Sequence, residues 1–308
     1  MNASLQSEPL LRPGELLREQ LAGLARTASL EINVHDAGLL GASREFLSRG
    51  QSVYVSHLPQ QTWQATVAAC RQVREAGFNP VPHLPVRLLP DARTLESLLA
   101  DFTGTAGVSE LLLISGDYPS AVGPYTQVAQ VKRTGLLQAA GIRRLSVAGH
   151  PEGHPKVASG EIWRAQLEKA ELAERAGLEL TLLTQFCFEA EPFLVWAAAL
   201  RAAGVRCRLV GGLAGPTKLS SLIKYALRCG AGPSVRVLSS RPATFARLLA
   251  DHGPECVLRS LGQAQVNGSS DFAGIHLFCF GGYLRTCQWL QAIAQGRFEL
   301  DDNDGFKV

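Results

Sequence analysis

The chain has 308 residues, a formal net charge of +3, and 46% hydrophobic residues. This apolar content suffices for a large core, whereas the small net charge, without clustered Lys and Arg, argues against a nucleic-acid partner. No apolar run reaches the roughly 20 residues that a membrane span needs, and the N-terminal segment lacks the apolar core of a secretory signal. We therefore expect a cytoplasmic protein that binds neither nucleic acid nor a membrane.

The first predicted element is a helix that precedes the strands. Its apolar residues fall on one face and predict packing against the rest of the fold. The helix covers residues 13–27, and this face carries Leu16, Leu17, Leu21 and Leu24.

Eight short apolar segments then alternate with longer segments of helical periodicity. They are rich in β-branched or aromatic residues and are bounded by Gly, Pro or polar residues, which predicts strands. Eightfold alternation of strand and helix predicts an α/β fold, a (β/α)8 TIM barrel. The predicted strands cover residues 29–34, 52–58, 79–86, 109–117, 143–150, 178–186, 205–213 and 274–282.

The predicted domain organisation is simple. Residues 1–28 form an N-terminal helical extension, and residues 29–308 form a single catalytic barrel. An insertion of about two helices, residues 241–268, precedes the eighth strand. The seven cysteines are scattered, odd in number and without CxxC spacing, which is typical of buried thiols in a reducing compartment.

Polar residues follow or end most of the predicted strands. A barrel places its chemistry at the C-terminal ends of its strands, here called the mouth, so these residues are the candidates for function. They are Glu31, Ser56 or His57, His83, Asp117, His150, Gln185 and the pair Gly211–Gly212.

Two carboxylates stand out. Burial disfavours the ionised form of a carboxyl group, so Glu31 within "SLEINV" can hold a proton near neutral pH and act as a general acid. Alternatively, Glu31 pairs with a barrel Lys or Arg, or points outward. Asp117 directly follows Gly116 after an apolar strand, which predicts a carboxylate at the mouth.

The histidines leave alternatives open. His83 lies between two prolines within a strand, where it is either a core residue or a ligand. His150, Glu152 and His154, with His83 and Asp117, are conceivable metal ligands, but the HxH and HxxxD spacings of common metal-dependent barrels are missing. The chain also lacks GxGxxG, GxxxxGK[ST] and a nucleophile elbow. The residues alone predict a barrel enzyme with an acid at its mouth, and a metal-dependent lyase or hydrolase stays open.

Several motifs add a more specific indication through their order. They read "PHLPV", "LLLISGDYP", "VAGHPEGHPKV", "LTQFCFEAEPFLVWAAALRAAGV", "GGLAGPTKLSSL" and "GIHLFCFGG". This series resembles the methylenetetrahydrofolate reductase family, whose corresponding segments include PHLTC, LRGDxP, VAxYPExHPEA, ITQFFFDxE and a final FHFYTLN. The resemblance covers residues 29 to about 295.

The resemblance implies a reductase that converts 5,10-methylenetetrahydrofolate to 5-methyltetrahydrofolate. Glu31 falls at the position of the general acid, which opens the five-membered ring through protonation on the N10 side. Asp117 matches the aspartate that stabilises the resulting 5-iminium cation, and Gln185 matches the glutamine that hydrogen-bonds the pterin. Leu219 falls in the substrate segment that follows strand seven. The implied partner is the tetrahydrofolate substrate, and a homo-oligomer stays open.

The resemblance is weakest at the residues that bind the flavin in the family. Classical members carry hydride from NADH or NADPH through FAD. Here Ser115 replaces an arginine, His150 replaces a tyrosine, and "SHLPQ", with His57, replaces a YGA turn. Leu, Ala and Glu stand where the family has an Arg/Lys pair on the helix after strand five. His83 and His154 match.

Two cofactor arrangements therefore stay open. Either FAD is held through other contacts, or NADH or NADPH donates hydride directly, as the resemblance to short, flavin-independent members suggests. We favour direct donation. A catalytically silent folate-binding relative is a third alternative, although Glu31 argues against it because folate binding needs no general acid.

Overall fold

Eight parallel strands close into a barrel in the computed structural model of the chain. The structure describes residues 12–308 except 117, 119, 155–156, 218–252 and 303. Strand β1 pairs with both β2 and β8, which closes the sheet and confirms the predicted (β/α)8 fold. The strands are β1 Ser29–Ile32, β2 Ser52–Val55, β3 Asn79–Pro85, β4 Glu110–Ile114, β5 Arg144–Gly149, β6 Glu179–Thr184, β7 Arg208–Ala214 and β8 Gly274–Phe278.

Helices lie between the strands in the chain and cover the sheet. Local sequence fixes several of their ends: Thr62 and Asp91 accept backbone N–H bonds as N-caps, and Gly107 ends a helix in the left-handed conformation. Numbered among the described residues, they are α1 Pro13–Arg26, α2 Leu40–Ser43, α3 Trp63–Glu75, α4 Ala92–Ala106, α5 Val128–Lys132, α6 Leu136–Ala139, α7 Ser159–Arg175, α8 Glu191–Ala202, α9 Glu255–Val266 and α10 Tyr283–Ala294. None of these described helices is long and apolar enough to cross a membrane.

Alternation along the strands produces two separate apolar clusters. The larger one lies between strands and helices and includes Leu30 and Ile32 of β1. Residues that point to the other side of each strand fill the barrel interior. The interior cluster consists of Tyr54, Val81, Leu112, Leu183 and Val210, with Ile114 packed against it. Glu31 lies between Leu30 and Ile32 and therefore faces this interior.

Helix α1 is present where the sequence predicts it and packs against α9, α10 and β8. Leu17, Leu21 and Leu24 are buried, but Leu16 is 42% exposed, so the prediction that it shares their face is wrong. The reason is helix geometry, because adjacent residues lie about 100° apart around the axis and the buried stripe follows Leu17.

The C-terminal part adds a short hairpin that the sequence did not indicate. Strands β9 Glu299–Leu300 and β10 Phe306–Lys307 pair antiparallel, and the Phe306 ring packs against Trp289. Helix α9 accounts for part of the predicted insertion before β8, whereas the start of that insertion lies outside the described residues. The six described cysteines are free thiols.

Candidate active site

The carboxylate of Glu31 lies between two imidazoles inside the barrel. Its Oε2 is 3.4 Å from Nε2 of His83 on β3 and 3.8 Å from Nε2 of His276 on β8. Both histidines are buried, and neither Nε2 has a hydrogen-bond partner among the described residues. Two ring nitrogens therefore converge on one carboxylate oxygen. Glu31 contacts histidines rather than the Lys or Arg that the sequence left open as an alternative.

His276 is the member of this group that sequence reasoning missed. Its Nδ1 is 2.9 Å from the Ser29 hydroxyl, and the two residues are opposite each other in the β1–β8 register. The hydrogen bond fixes the ring so that Nε2 is directed at Glu31. The sequence contains a signal for this contact. Ser29 and Glu31 are two residues apart and therefore lie on the same face of β1, and His276 is the one ionisable residue within the apolar segment "GIHLF".

The electrostatics of Glu31 differ from the prediction. Burial raises the pKa of Glu31, but His83 and His276 lower it, and the net direction is downward. The expectation that burial alone holds this carboxyl protonated near neutral pH is therefore wrong. Burial lowers the pKa of His83 and the Glu31 carboxylate raises it, with a net downward direction. Because Glu31 and His83 interact so closely, they titrate as one coupled pair.

His57 follows β2 and is held beneath an aromatic ring. Its Nδ1 is 2.8 Å from the Thr66 hydroxyl, and its ring stacks on Trp63 at 3.9 Å between centroids. Burial, with a smaller contribution from His83, lowers the pKa of His57 to about 4. The imidazole is therefore neutral at pH 7 and carries no charge that could balance a phosphate.

A second group of ionisable residues lies at the end of β5. The rings of His150 and His154 meet edge to face at 5.6 Å. Burial, with smaller contributions from Lys169 of α7 and from His154, lowers the pKa of His150 to about 4. Burial also lowers the pKa of Lys169 to about 8, so this ammonium is still largely charged at pH 7. The sequence comparison missed Lys169, which lies within the segment searched for the Arg/Lys pair.

The other predicted site residues lie at neighbouring strand ends or outside the described structure. Gln185 follows β6, and its side-chain oxygen accepts the backbone N–H of Phe186 at 3.1 Å. Ser115 follows β4, and its carbonyl accepts the backbone N–H of Arg87. Asp117 and Leu219 lie outside the described residues.

An aromatic wall, defined here as Phe186, Phe278 and Phe280, lies at the ends of β6 and β8. Phe186 is 5.8 Å from Phe278 and 5.2 Å from Phe280 between ring centroids, and the latter two rings are nearly parallel. Glu31 is opposite Phe278 in the β1–β8 register. Phe186 is fully buried, whereas Phe278 and Phe280 are partly exposed. These two rings offer a planar heterocycle an apolar surface beside Glu31.

A closed barrel with ionisable residues gathered inside it is an arrangement that many enzymes share. A family model described as "Methylenetetrahydrofolate reductase" matches residues 57–232, which is more than half of the chain. The chain therefore belongs to the methylenetetrahydrofolate reductase family. Membership supports an oxidoreductase that acts on a folate, and the family generally uses a flavin and a nicotinamide donor.

The described cofactor positions do not fit the diphosphate of FAD. Ser115 has no charge, and His57 and His150 are neutral at pH 7. Lys132 of α5 is only 4% exposed, and its ammonium donates to the backbone carbonyl of Lys169. Among the described residues at these positions, Lys169 supplies a charge at pH 7, whereas two phosphates require several charged or backbone donors. The described residues also include no group of three or more His, Cys, Asp or Glu that could hold a metal ion.

Proposed function

We propose that the protein is a methylenetetrahydrofolate reductase that moves hydride from NADH or NADPH to 5,10-methylenetetrahydrofolate. The observation that carries this proposal is the Glu31 carboxylate, set between the imidazoles of His83 and His276 at the mouth of a barrel of this family. A buried acid with basic neighbours is the device that a ring-opening protonation needs.

In the proposed step, a proton and a hydride add across the bond between N10 and the methylene carbon. The bond between N10 and the methylene carbon breaks, and N10 takes a proton that the coupled Glu31–His83 pair acquires from water and delivers through Glu31, which leaves a 5-iminium cation. Hydride from C4 of the dihydronicotinamide forms a C–H bond with that carbon, so the nicotinamide is oxidised and the folate becomes 5-methyltetrahydrofolate. The neighbours that lower the pKa of Glu31 also stabilise its carboxylate after the proton has left. Asp117, by resemblance, faces the cation.

We further propose that hydride passes directly from the nicotinamide to the folate. The poor fit of the described residues to a flavin diphosphate supports this route. The partly exposed rings of Phe278 and Phe280 supply a surface on which planar rings pack, and Gln185, by resemblance, hydrogen-bonds the pterin edge.

The test is turnover with and without flavin. The purified protein is incubated anaerobically with methylenetetrahydrofolate and either NADH or NADPH, and 5-methyltetrahydrofolate is measured by mass spectrometry. We expect product without added FAD. Folate binding without product under any condition would favour the silent folate binder, and activity that a chelator abolishes and a metal restores would favour a metal-dependent enzyme.

A variant of the proposed acid tests its role. Glu31→Gln should lower kcat by about 10²- to 10⁴-fold, because the general acid is lost, while folate affinity changes by less than about threefold. Glu19→Gln is the control, since Glu19 is an exposed partner of Arg26 on α1. Equal losses of turnover and folate affinity in Glu31→Gln would contradict the assigned role.

A further inference from the structure

A second polar cluster lies inside the barrel, toward the N-terminal ends of the strands. The Tyr54 hydroxyl is 2.9 Å from Ser146 Oγ and 3.2 Å from Glu110 Oε1. Ser146 donates to the same Glu110 oxygen at 3.0 Å, and Arg144 donates to the other at 3.2 Å. Tyr54 and Ser146 are almost completely buried. Each polar group of the cluster is thus satisfied by another.

The ring of Tyr54 connects this cluster to the proposed acid. It meets His276 edge to face at 4.7 Å and His83 at 6.1 Å between centroids. Tyr54 is also opposite Glu31 in the β1–β2 register. The imidazoles of His83 and His276 therefore both pack against the ring of Tyr54, and hydrogen bonds at the Tyr54 hydroxyl anchor the far end of that ring.

This arrangement requires an explanation beyond filling space. Branched aliphatic residues dominate the interiors of such barrels, and buried polar groups are costly unless every one is paired. A fully satisfied network, in contrast, holds its members rigidly. Burial and the Glu110 carboxylate raise the pKa of Tyr54, so its hydroxyl stays protonated and can donate.

We propose that Tyr54 is a positioning residue: anchored by Ser146 and Glu110, its ring fixes the imidazoles of His83 and His276 against Glu31 and excludes water beneath them. The catalytic part of this inference rests on the proposed reductase function. The effect on the two imidazoles does not, and it can be measured in the ligand-free protein.

Other ionisable groups also act on Glu31, His83 and His276, and they must be considered when the titration of the two imidazoles is interpreted. Cys279 interacts with Glu31, and His57 interacts with His83. The described ionisable groups that face these three residues or Tyr54 are His57 after β2, Glu110 of β4, Arg144 of β5, Arg208 of β7 and Cys279 after β8.

The test compares Tyr54→Leu and Tyr54→Phe with Tyr283→Phe. Tyr283 is the matched control because it is equally buried, but its hydroxyl bonds to Ser43 in the outer core. The imidazoles of His83 and His276 are titrated by NMR, with assignment from His83→Gln and His276→Gln. With only seven histidines in the chain, the spectrum is tractable.

We expect Tyr54→Leu to admit water and to raise the titration midpoint of His83 by about one pH unit, because burial is the main cause of its low pKa. Tyr54→Phe should shift the same resonances in the same direction by less. In turnover assays, both variants should move the pH profile of kcat while KM changes by less than about twofold. Tyr283→Phe should leave the titrations and the profile unchanged.

Titrations in Tyr54→Phe that coincide with those of the unchanged protein would overturn the proposal, even if Tyr54→Leu fails to fold. A shifted titration in a protein that does not reduce methylenetetrahydrofolate would retain the role of Tyr54 toward the imidazoles and reject the reductase. A shifted titration with an unmoved pH profile would overturn the catalytic part alone.

Discussion

Two opposing electrostatic effects set the pKa of Glu31. Burial in the barrel favours its neutral form, whereas the imidazoles at 3.4 and 3.8 Å favour its carboxylate. Such a carboxyl releases its proton more readily than an isolated buried acid, and its conjugate base remains stabilised. At neutral pH the carboxylate form therefore dominates. Glu31 acts as an acid toward N10 through the protonated form of the pair it makes with His83, and the transfer leaves a charge that the imidazoles stabilise.

His57 predicts a pH dependence of stability. Its pKa is lowered to about 4 in the folded protein, whereas an unfolded histidine titrates near 6.5. Between these values the unfolded chain binds more protons, so stability is retained above about pH 6.5 and lost as the pH falls toward 4. We expect His57 to contribute a loss of about 2 kcal/mol in unfolding free energy between pH 7 and 5, measured by urea denaturation.

The variant His57→Asn should remove this contribution and flatten that part of the stability curve. His35→Asn, at an exposed position after β1, is the control and should leave the curve unchanged. A pH dependence that is the same in all three proteins would show that His57 is not the titrating group.

Sequence reasoning succeeded at residues whose signal is local and failed where a contact crosses the barrel. Glu31 and His83 could be selected because each is an ionisable residue within an apolar strand. Their convergence with His276 depends on the register of β1 with β8, whose residues are nearly 250 positions apart. The direction of the Glu31 pKa shift was wrong for this reason, since it is set by neighbours that no local pattern indicates.

At the scale of elements, the end of β7 brings three strands close together. The Gly212 amide donates to the Thr184 hydroxyl at 2.8 Å, and a Cβ at Gly212 would lie 2.3 Å from the Thr184 carbonyl oxygen and 2.7 Å from the Phe278 ring. The sequence places the pair Gly211–Gly212 at a strand end, but only the packing of neighbouring strands explains why position 212 requires glycine. It allows β6, β7 and the aromatic wall to approach.

Gly212→Ala should therefore destabilise the protein by about 1–3 kcal/mol, because backbone and a ring must both move. It should also raise the KM for the folate if Phe278 contacts the substrate. Gly160→Ala is the control, since a Cβ there meets nothing within 4 Å, and it should change stability by less than about 1 kcal/mol. Chemical denaturation of the two variants checks this, and equal effects would contradict the packing argument.

The strands themselves were predictable because each is a short apolar run closed by Gly, Pro or a polar residue. Seven of the eight predicted segments contain the observed strands, and β7 extends one residue beyond its predicted segment, to Ala214. The β9–β10 hairpin was not predictable, since each strand has two residues and no alternation can be recognised at that length. It forms because Phe306 packs against Trp289 and Phe298.

At the scale of the whole molecule, α1 joins the start of the chain to its last helices. Leu21 is fully buried and lies so close to α9 that a Cβ at Gly262 would be 2.9 Å from its Cδ2. Helix α1 also packs against α10 and β8, so it stabilises the seam where β8 closes on β1. This seam carries Ser29, Glu31 and His276.

Leu21→Ala should lower the unfolding free energy by about 2–5 kcal/mol through the cavity it leaves. Leu16→Ala on the same helix should change it by no more than about 0.5 kcal/mol, because Leu16 is 42% exposed. Urea denaturation of both variants provides the comparison. A large loss in Leu16→Ala would contradict the placement of the buried stripe.

The central claim is direct hydride transfer, and isotope tracing tests it most directly. A single anaerobic turnover is run in ordinary water with methylenetetrahydrofolate and a nicotinamide donor that carries two deuterium atoms at C4, with and without added FAD. Direct transfer places one deuterium in the methyl group of 5-methyltetrahydrofolate, as mass spectrometry would detect. Passage through a reduced flavin, whose N5 hydrogen exchanges with water, would give an unlabelled methyl group and would contradict the account.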